Sequence, residues 1–180
     1  MIPIAVFGKY GVKVNSPAYR LAYDIGFALA GAGLAVVSGG YAGTMAAVSQ
    51  GAQDAGGHTI GVTCSSVLEK RSSRKPNPFL NVIFDAPSMI ARLEKLMRMS
   101  GGYVALPGGT GTLAELALVL EFVNKGFIAP RPIALVGEHW KPVINIVEPS
   151  KAGGLPFVHR VQTAAEVAEV MQAHAIDPAA

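Results

Sequence analysis

The feature that most constrains the fold is a strict alternation of short apolar, β-branched runs with longer helical stretches. The runs are "IAVF" (Ile4–Phe7), "LAVVS" (Leu34–Ser38), "HTIGVT" (His58–Thr63), "VIF" near Asn81–Phe84, "YVAL" (Tyr103–Leu106) and "PIALVG" (Pro132–Gly137), with a weaker one near Phe157–Val161. Helical patterns fill the gaps: Pro17–Ala32, about Thr44–Ala55, Ser88–Met99, about Thr112–Lys125, and Ala164–Ala175. Strands this apolar cannot face water on either side, so they belong in a parallel sheet covered by helices. Right-handed crossovers then give an α/β, Rossmann-like, doubly wound parallel sheet with helices on both faces, a three-layer sandwich. One such domain is expected over residues 1–180.

Composition narrows the function classes. A net charge of +3 without clustered basic stripes gives no case for a nucleic-acid partner, and leaves room for an anionic small molecule. The single cysteine, Cys64, excludes an intramolecular disulfide framework and fits a reducing compartment. The opening "MIPIAVFG" reads as a strand rather than a signal peptide, and no apolar run reaches ~18 residues, so a soluble, cytoplasmic protein without membrane contact is expected.

Ligands of doubly wound sheets bind at the carboxyl ends of the strands. Each glycine-rich loop falls at such an end: Gly8, Gly39, Gly40 and Gly43, and the run Gly108–Gly111. The last of these, "ALPGGTGTLAE" (Ala105–Glu115), opens a helix whose N-terminal N–H groups suit a phosphate. Gly108, Gly109 and Gly111 admit close approach of a ligand to the backbone, and Thr110 and Thr112 add hydroxyl donors. A Walker A reading fails because no Gly-Lys-Ser/Thr follows, and the dinucleotide fingerprint is absent from the first strand–helix turn. Glu115 has two readings: Thr112-Leu-Ala-Glu115 matches a helix capping box, and the same carboxylate lies beside the phosphate cradle, in the first turn, where it should stay ionised. Lys9, just past the first strand, is a candidate phosphate contact, and Met45 and Met89 are candidates to line a base pocket. The basic stretch "EKRSSRKPNP" (Glu69–Pro78) is either a solvated loop or a lid whose Arg71, Arg74 or Lys75 reaches an anion. The four histidines, His58, His139, His159 and His174, show no metal-ligand spacing, so no metal and no cofactor are expected.

Three spaced motifs together resemble the LOG-type proteins, also described as possible lysine decarboxylases. "PGGTGTLAE" fills each fixed position of their PGGxGTxxE signature; a glycine-rich segment, "SGGYAGTMAAVSQGAQDAGGHTIGV" (Ser38–Val62), follows the second strand; and Met89 and Arg92 stand in a Met-x-x-Arg helix upstream. The resemblance implies a phosphoribohydrolase that cleaves the N-glycosidic bond of a nucleoside 5′-monophosphate, of AMP or cytokinin riboside monophosphate type. It also implies a catalytic pair, Arg92 and Glu115, with the phosphate on Gly108–Thr112. Leu93 stands where the family usually has lysine after the arginine. No Schiff-base lysine motif supports the decarboxylase label.

An alternative is a non-catalytic carrier of nucleotide or molybdenum cofactor on the same scaffold; both retain the glycine cradles, and Leu93 leaves the carrier open. The helix "LAELALVLEFV" (Leu113–Val123) is apolar nearly all round, which implies burial against the sheet and against a second copy of the chain, hence a homodimer or larger homo-oligomer.

Overall fold

The computed structural model describes residues 1–64, 75–148 and 155–179. Seven strands form one parallel sheet: β1 (Pro3–Phe7), β2 (Ala35–Ser38), β3 (Thr59–Thr63), β4 (Val82–Asp85), β5 (Gly102–Ala105), β6 (Ile133–Val136) and β7 (Val158–Val161). Between and after them run α1 (Pro17–Gly31), α2 (Thr44–Asp54), α3 (Met89–Arg98), α4 (Thr110–Asn124), α5 (Lys141–Val147) and α6 (Ala164–His174). The strand order is β4-β3-β2-β1-β5-β6-β7. The chain therefore winds outward from β1 to β4, returns, and continues outward from β5 on the other side. The switch in direction lies between β1 and β5, where Phe7 pairs with Ala105 at the carboxyl ends of both.

Alternation along each strand produces the layers. On β1, Ala5 and Phe7 face one core with Leu96 of α3, Leu116 and Val119 of α4 and Ile144 of α5. Ile4 and Val6 face the other, with Ile25 and Leu29 of α1, Val48 of α2 and Met171 of α6. The same division runs through β5 and β6, where Tyr103 and Leu135 join the first core and Val104 and Ala134 the second. Helices thus cover both faces, as the apolar strands require.

Small residues set the spacing between α1 and α2. A Cβ on Gly26 would lie 2.0 Å from the Val48 carbonyl, and one on Gly51 would lie 2.0 Å from that of Tyr23, so the two backbones touch. On the opposite face, buried Arg131 fixes the end of α3. Its Nη1 donates to the carbonyls of Met97 and Ser100, and the Tyr103 hydroxyl donates to Met97 as well.

Two local expectations are corrected. The glycine-loop helix starts at Thr110 rather than Thr112, with Gly109 as a cap that makes no side-chain bond. Residue 115 is then in the second turn, so the Thr112–Glu115 capping box is not formed. The short α5, with Pro142 near its start, was not foreseen. Of the basic stretch Glu69–Pro78, residues 69–74 lie outside the described residues, and the lid reading of Arg71 and Arg74 with them. In the described part of the stretch Lys75 is exposed and does not line the cleft, whereas Asn77 is buried, donating from its backbone to the Gly40 carbonyl (2.9 Å) and from Nδ2 to that of Tyr41 (3.1 Å). Among the described residues no helix is long and apolar enough to cross a membrane.

Candidate active site

The loops leaving β1 and β5 open a cleft of about 310 Å³ at the switch point. Gly8, Lys9 and Tyr10 line it from the β1 loop, and Tyr41 and Met45 from the β2 loop and α2. Met89 and Arg92 reach it from α3, while Gly109, Thr110, Gly111, Thr112 and Glu115 belong to the start of α4. The loops after β1, β2 and β5 meet here because those strands are neighbours in the sheet, while α3 arrives on the crossover from the edge strand β4 to β5.

The α4 end of the cleft is a row of donors. The first helical bond of α4 runs from Leu113 N–H to the Gly109 carbonyl (2.9 Å). The amides of Thr110, Gly111 and Thr112 precede it and have no acceptor within the helix. Their unpaired N–H groups and the helix dipole favour an anion. Behind this turn the loop is braced: the His139 Nε2 lies 2.8 Å from the Gly108 carbonyl, and the Trp140 indole donates to the Leu106 carbonyl (3.0 Å).

Arg92 is buried and held at three points. Nε donates to the Val62 carbonyl at the end of β3 (2.7 Å), and Nη2 to the Gly39 carbonyl just past β2 (3.0 Å). Nη1 faces the Glu115 carboxylate, at 3.9 Å from Oε1. The guanidinium also lies over the Tyr41 ring, 5.9 Å from its centroid. Tyr41 in turn is fixed by its hydroxyl, which accepts from the Cys64 backbone N–H (2.9 Å). Arg92 is therefore a strut between three elements rather than a mobile anion ligand.

Glu115 is nearly enclosed, its side chain 12% exposed. Burial raises its carboxyl and the Arg92 charge pulls part of the way back, leaving it at about 7. The expectation of a firmly ionised first-turn carboxylate is corrected: Glu115 is in the second turn, and desolvation outweighs the Arg92 cation at 3.9 Å.

The sequence-predicted residues divide into two groups. Gly8, Met45, Met89, Arg92, Gly109, Thr110, Gly111, Thr112 and Glu115 line the cleft. Gly39, Gly40, Gly43 and Gly108 stand behind its wall instead. A Cβ at Gly39 would lie 1.9 Å from Arg92 Nη2, and one at Gly108 would lie 2.2 Å from Thr112 Oγ1. Gly43 adopts φ 71°, where a Cβ would lie 2.2 Å from the Lys9 carbonyl. Gly39, Gly43 and Gly108 make room for lining residues, and Gly40, at φ 78°, for Thr63 and Gly61 of β3. Leu93 is half-buried and does not line the cleft. Tyr10 and Tyr41 were missed; an aromatic residue inside the glycine run "GGYAG" was the signal for Tyr41.

Comparison with known proteins gives the family of the chain and the likeness of its fold. The family model described as "Possible lysine decarboxylase" matches residues 45–174. The probable cytokinin riboside 5′-monophosphate phosphoribohydrolase LOGL9 of Oryza sativa subsp. japonica is 31% identical over 128 residues, 69% of this chain and 55% of that protein. The cytokinin riboside 5′-monophosphate phosphoribohydrolase LOG5 of Arabidopsis thaliana is 34% identical over 101 residues, 56% of this chain and 42% of that protein. The chain thus spans about half the length of these curated relatives. Among solved structures, the Moco carrier protein from Chlamydomonas reinhardtii superposes with a TM-score of 0.70 at 28% identity, covering 95% of this chain and 96% of that one. The X-ray structure of TM1055 superposes with a TM-score of 0.74 at 24% identity over 96% and 99% of the two chains, a likeness of fold. The chain belongs to the possible lysine decarboxylase family, which is the LOG family of its named relatives.

Proposed function

We propose that the cleft hydrolyses the N-glycosidic bond of a nucleoside 5′-monophosphate, AMP or a cytokinin riboside monophosphate, to free base and ribose 5-phosphate. The observation that carries this reading is a buried carboxylate, Glu115, held on an arginine strut beside an open row of helix N-terminal amides. The amides take the 5′-phosphate, which brings the ribose over Glu115. As the C1′–N bond breaks, the sugar becomes oxocarbenium-like. Ionised Glu115 stabilises that cation and accepts a proton from the water that adds to C1′. Glu115 gives up that proton to the departing base, directly or through solvent, and so returns to its ionised starting state. Arg92 cannot serve as an acid, since guanidinium does not deprotonate at neutral pH; it orients Glu115 and limits how far burial raises its carboxyl.

The decarboxylase in the family's description fits poorly. A Schiff-base lysine is activated by a desolvated pocket or an adjacent cation, whereas the lysine that lines this cleft, Lys9, is exposed at its rim. A second reading, a carrier of molybdenum cofactor, is favoured by the 28% identical carrier structure. It needs the amide row but gives no task to Glu115. The site is completed in a homodimer: Met89 and Leu113, both more than a third exposed, and Ile90, 72% exposed, leave an apolar surface on the helices that bear the site.

Incubation with AMP and other nucleoside monophosphates, followed by chromatography, tests the choice. Free base should appear, and Glu115→Gln should reduce its rate by about 10²–10⁴-fold. Absence of base together with tight binding of a phosphorylated pterin would favour the carrier instead.

A further inference from the structure

The charges of the cleft leave a phosphate monoester only partly matched once Arg92 is accounted for. Such a group carries about −1.5 to −2 at neutral pH. Arg92 has Nε on the Val62 carbonyl, Nη2 on the Gly39 carbonyl and Nη1 toward Glu115, whose negative charge offsets its own. The N-terminus of α4 contributes the equivalent of about half a positive charge. Among the described residues one further cation lines the cleft: Lys9.

The backbone of Lys9 is fixed while its side chain is exposed. Both the backbone N–H and the hydroxyl of Thr44 donate to the Lys9 carbonyl, at 2.9 and 3.2 Å. Gly43, at φ 71°, lets the two loops close to that distance. No described ion pair engages the Lys9 ammonium. Its strand, β1, is the direct neighbour of β5, which feeds the amide row of α4, so the two loops meet at one cleft. A tethered lysine stem with an unengaged ammonium, beside a row of unpaired amides, is the arrangement a bound phosphate requires.

We propose that Lys9 is a specificity-determining residue of this cleft, binding the 5′-phosphate together with the amides of Thr110–Thr112 and so selecting the nucleotide over the nucleoside. The proposal deepens the nucleotide-site reading and rests on it, but does not require turnover. Calorimetry with AMP, adenosine and inorganic phosphate, at low and moderate salt, tests it on the unaltered protein, Lys9→Met and Lys9→Arg. Lys9→Met should weaken AMP and inorganic phosphate by about 10-fold or more, leave adenosine unchanged and flatten the salt dependence of AMP binding. Lys9→Arg should restore most of the affinity, and where base is released the loss in Lys9→Met should appear in KM. Equal affinity of the unaltered protein and Lys9→Met for AMP would overturn the proposal, as would an unaltered protein that binds AMP no more tightly than adenosine. Lys9-dependent AMP binding without release of adenine would keep this assignment and remove the hydrolase reading.

Discussion

Glu115 and Arg92 are coupled by an imbalance between burial and pairing. The carboxylate is enclosed enough for desolvation to dominate, and one guanidinium at 3.9 Å compensates only in part. A carboxyl raised from 4.5 to about 7 binds a proton more tightly in the folded state. Below pH 4.5 it is protonated in both states and has no effect. Between pH 4.5 and 7 the folded protein holds more protons than the unfolded chain, so stability falls with rising pH, and above 7 the full penalty is present. Thermal melts should therefore show the Tm of Glu115→Gln rising relative to the unaltered protein as pH goes from 4.5 to 8. A difference independent of pH would show that the carboxyl is not burial-shifted. The sequence carried the identities of this pair through its motifs. It did not carry the anchoring of Arg92, because the Val62 and Gly39 carbonyls lie 30 and 53 positions away and become neighbours only through the order of β2 and β3. Nor did it carry the protonation of Glu115, which is set by enclosure rather than by its place on the helix.

At the scale of elements, the amphipathic period and the apolar strands were legible, and the ends were not. The start of α4 moved to Thr110 because Gly111, which reads as a breaker, sits in the first turn beyond Gly109, where no intrahelical N–H bond is due. That shift turned an apparent capping glutamate into a cleft residue. Helix α5 escaped notice since seven residues including Pro142 show no usable periodicity. The α1–α2 contact gives the clearest stability prediction for the elements. Gly26→Ala would force the helices apart, because the new Cβ meets the Val48 carbonyl at 2.0 Å. A loss of ~1–3 kcal/mol in denaturant unfolding is expected. An unchanged midpoint would mean that the two helices slide freely. Gly31, whose Cβ would meet nothing within 4 Å, serves as the control, and Gly31→Ala should change stability little.

For the whole molecule, the sheet order brings the two outward-winding halves together at β1 and β5, and the cleft stands where they part. The alternation of strands and helices was enough to expect a doubly wound sheet. Which loops would share a site was not visible until the order placed the Lys9 loop beside the α4 loop. The exposed apolar surface at Met89, Ile90 and Leu113 predicts a dimer whose contact borders the cleft. Light scattering over a dilution series should report twice the monomer mass, and Ile90→Glu should shift it toward monomer; a stable monomer in the unaltered protein would contradict the pairing.

On the proposed mechanism a buried carboxylate titrating near neutrality breaks the glycosidic bond of a nucleotide. The rate of adenine release from AMP between pH 5 and 9 tests it most directly. kcat/KM should rise with pH through a midpoint near 7, as Glu115 ionises, and Glu115→Gln should cut the release by about 10²–10⁴-fold. No adenine at any pH, or release that persists unchanged in Glu115→Gln, would contradict it.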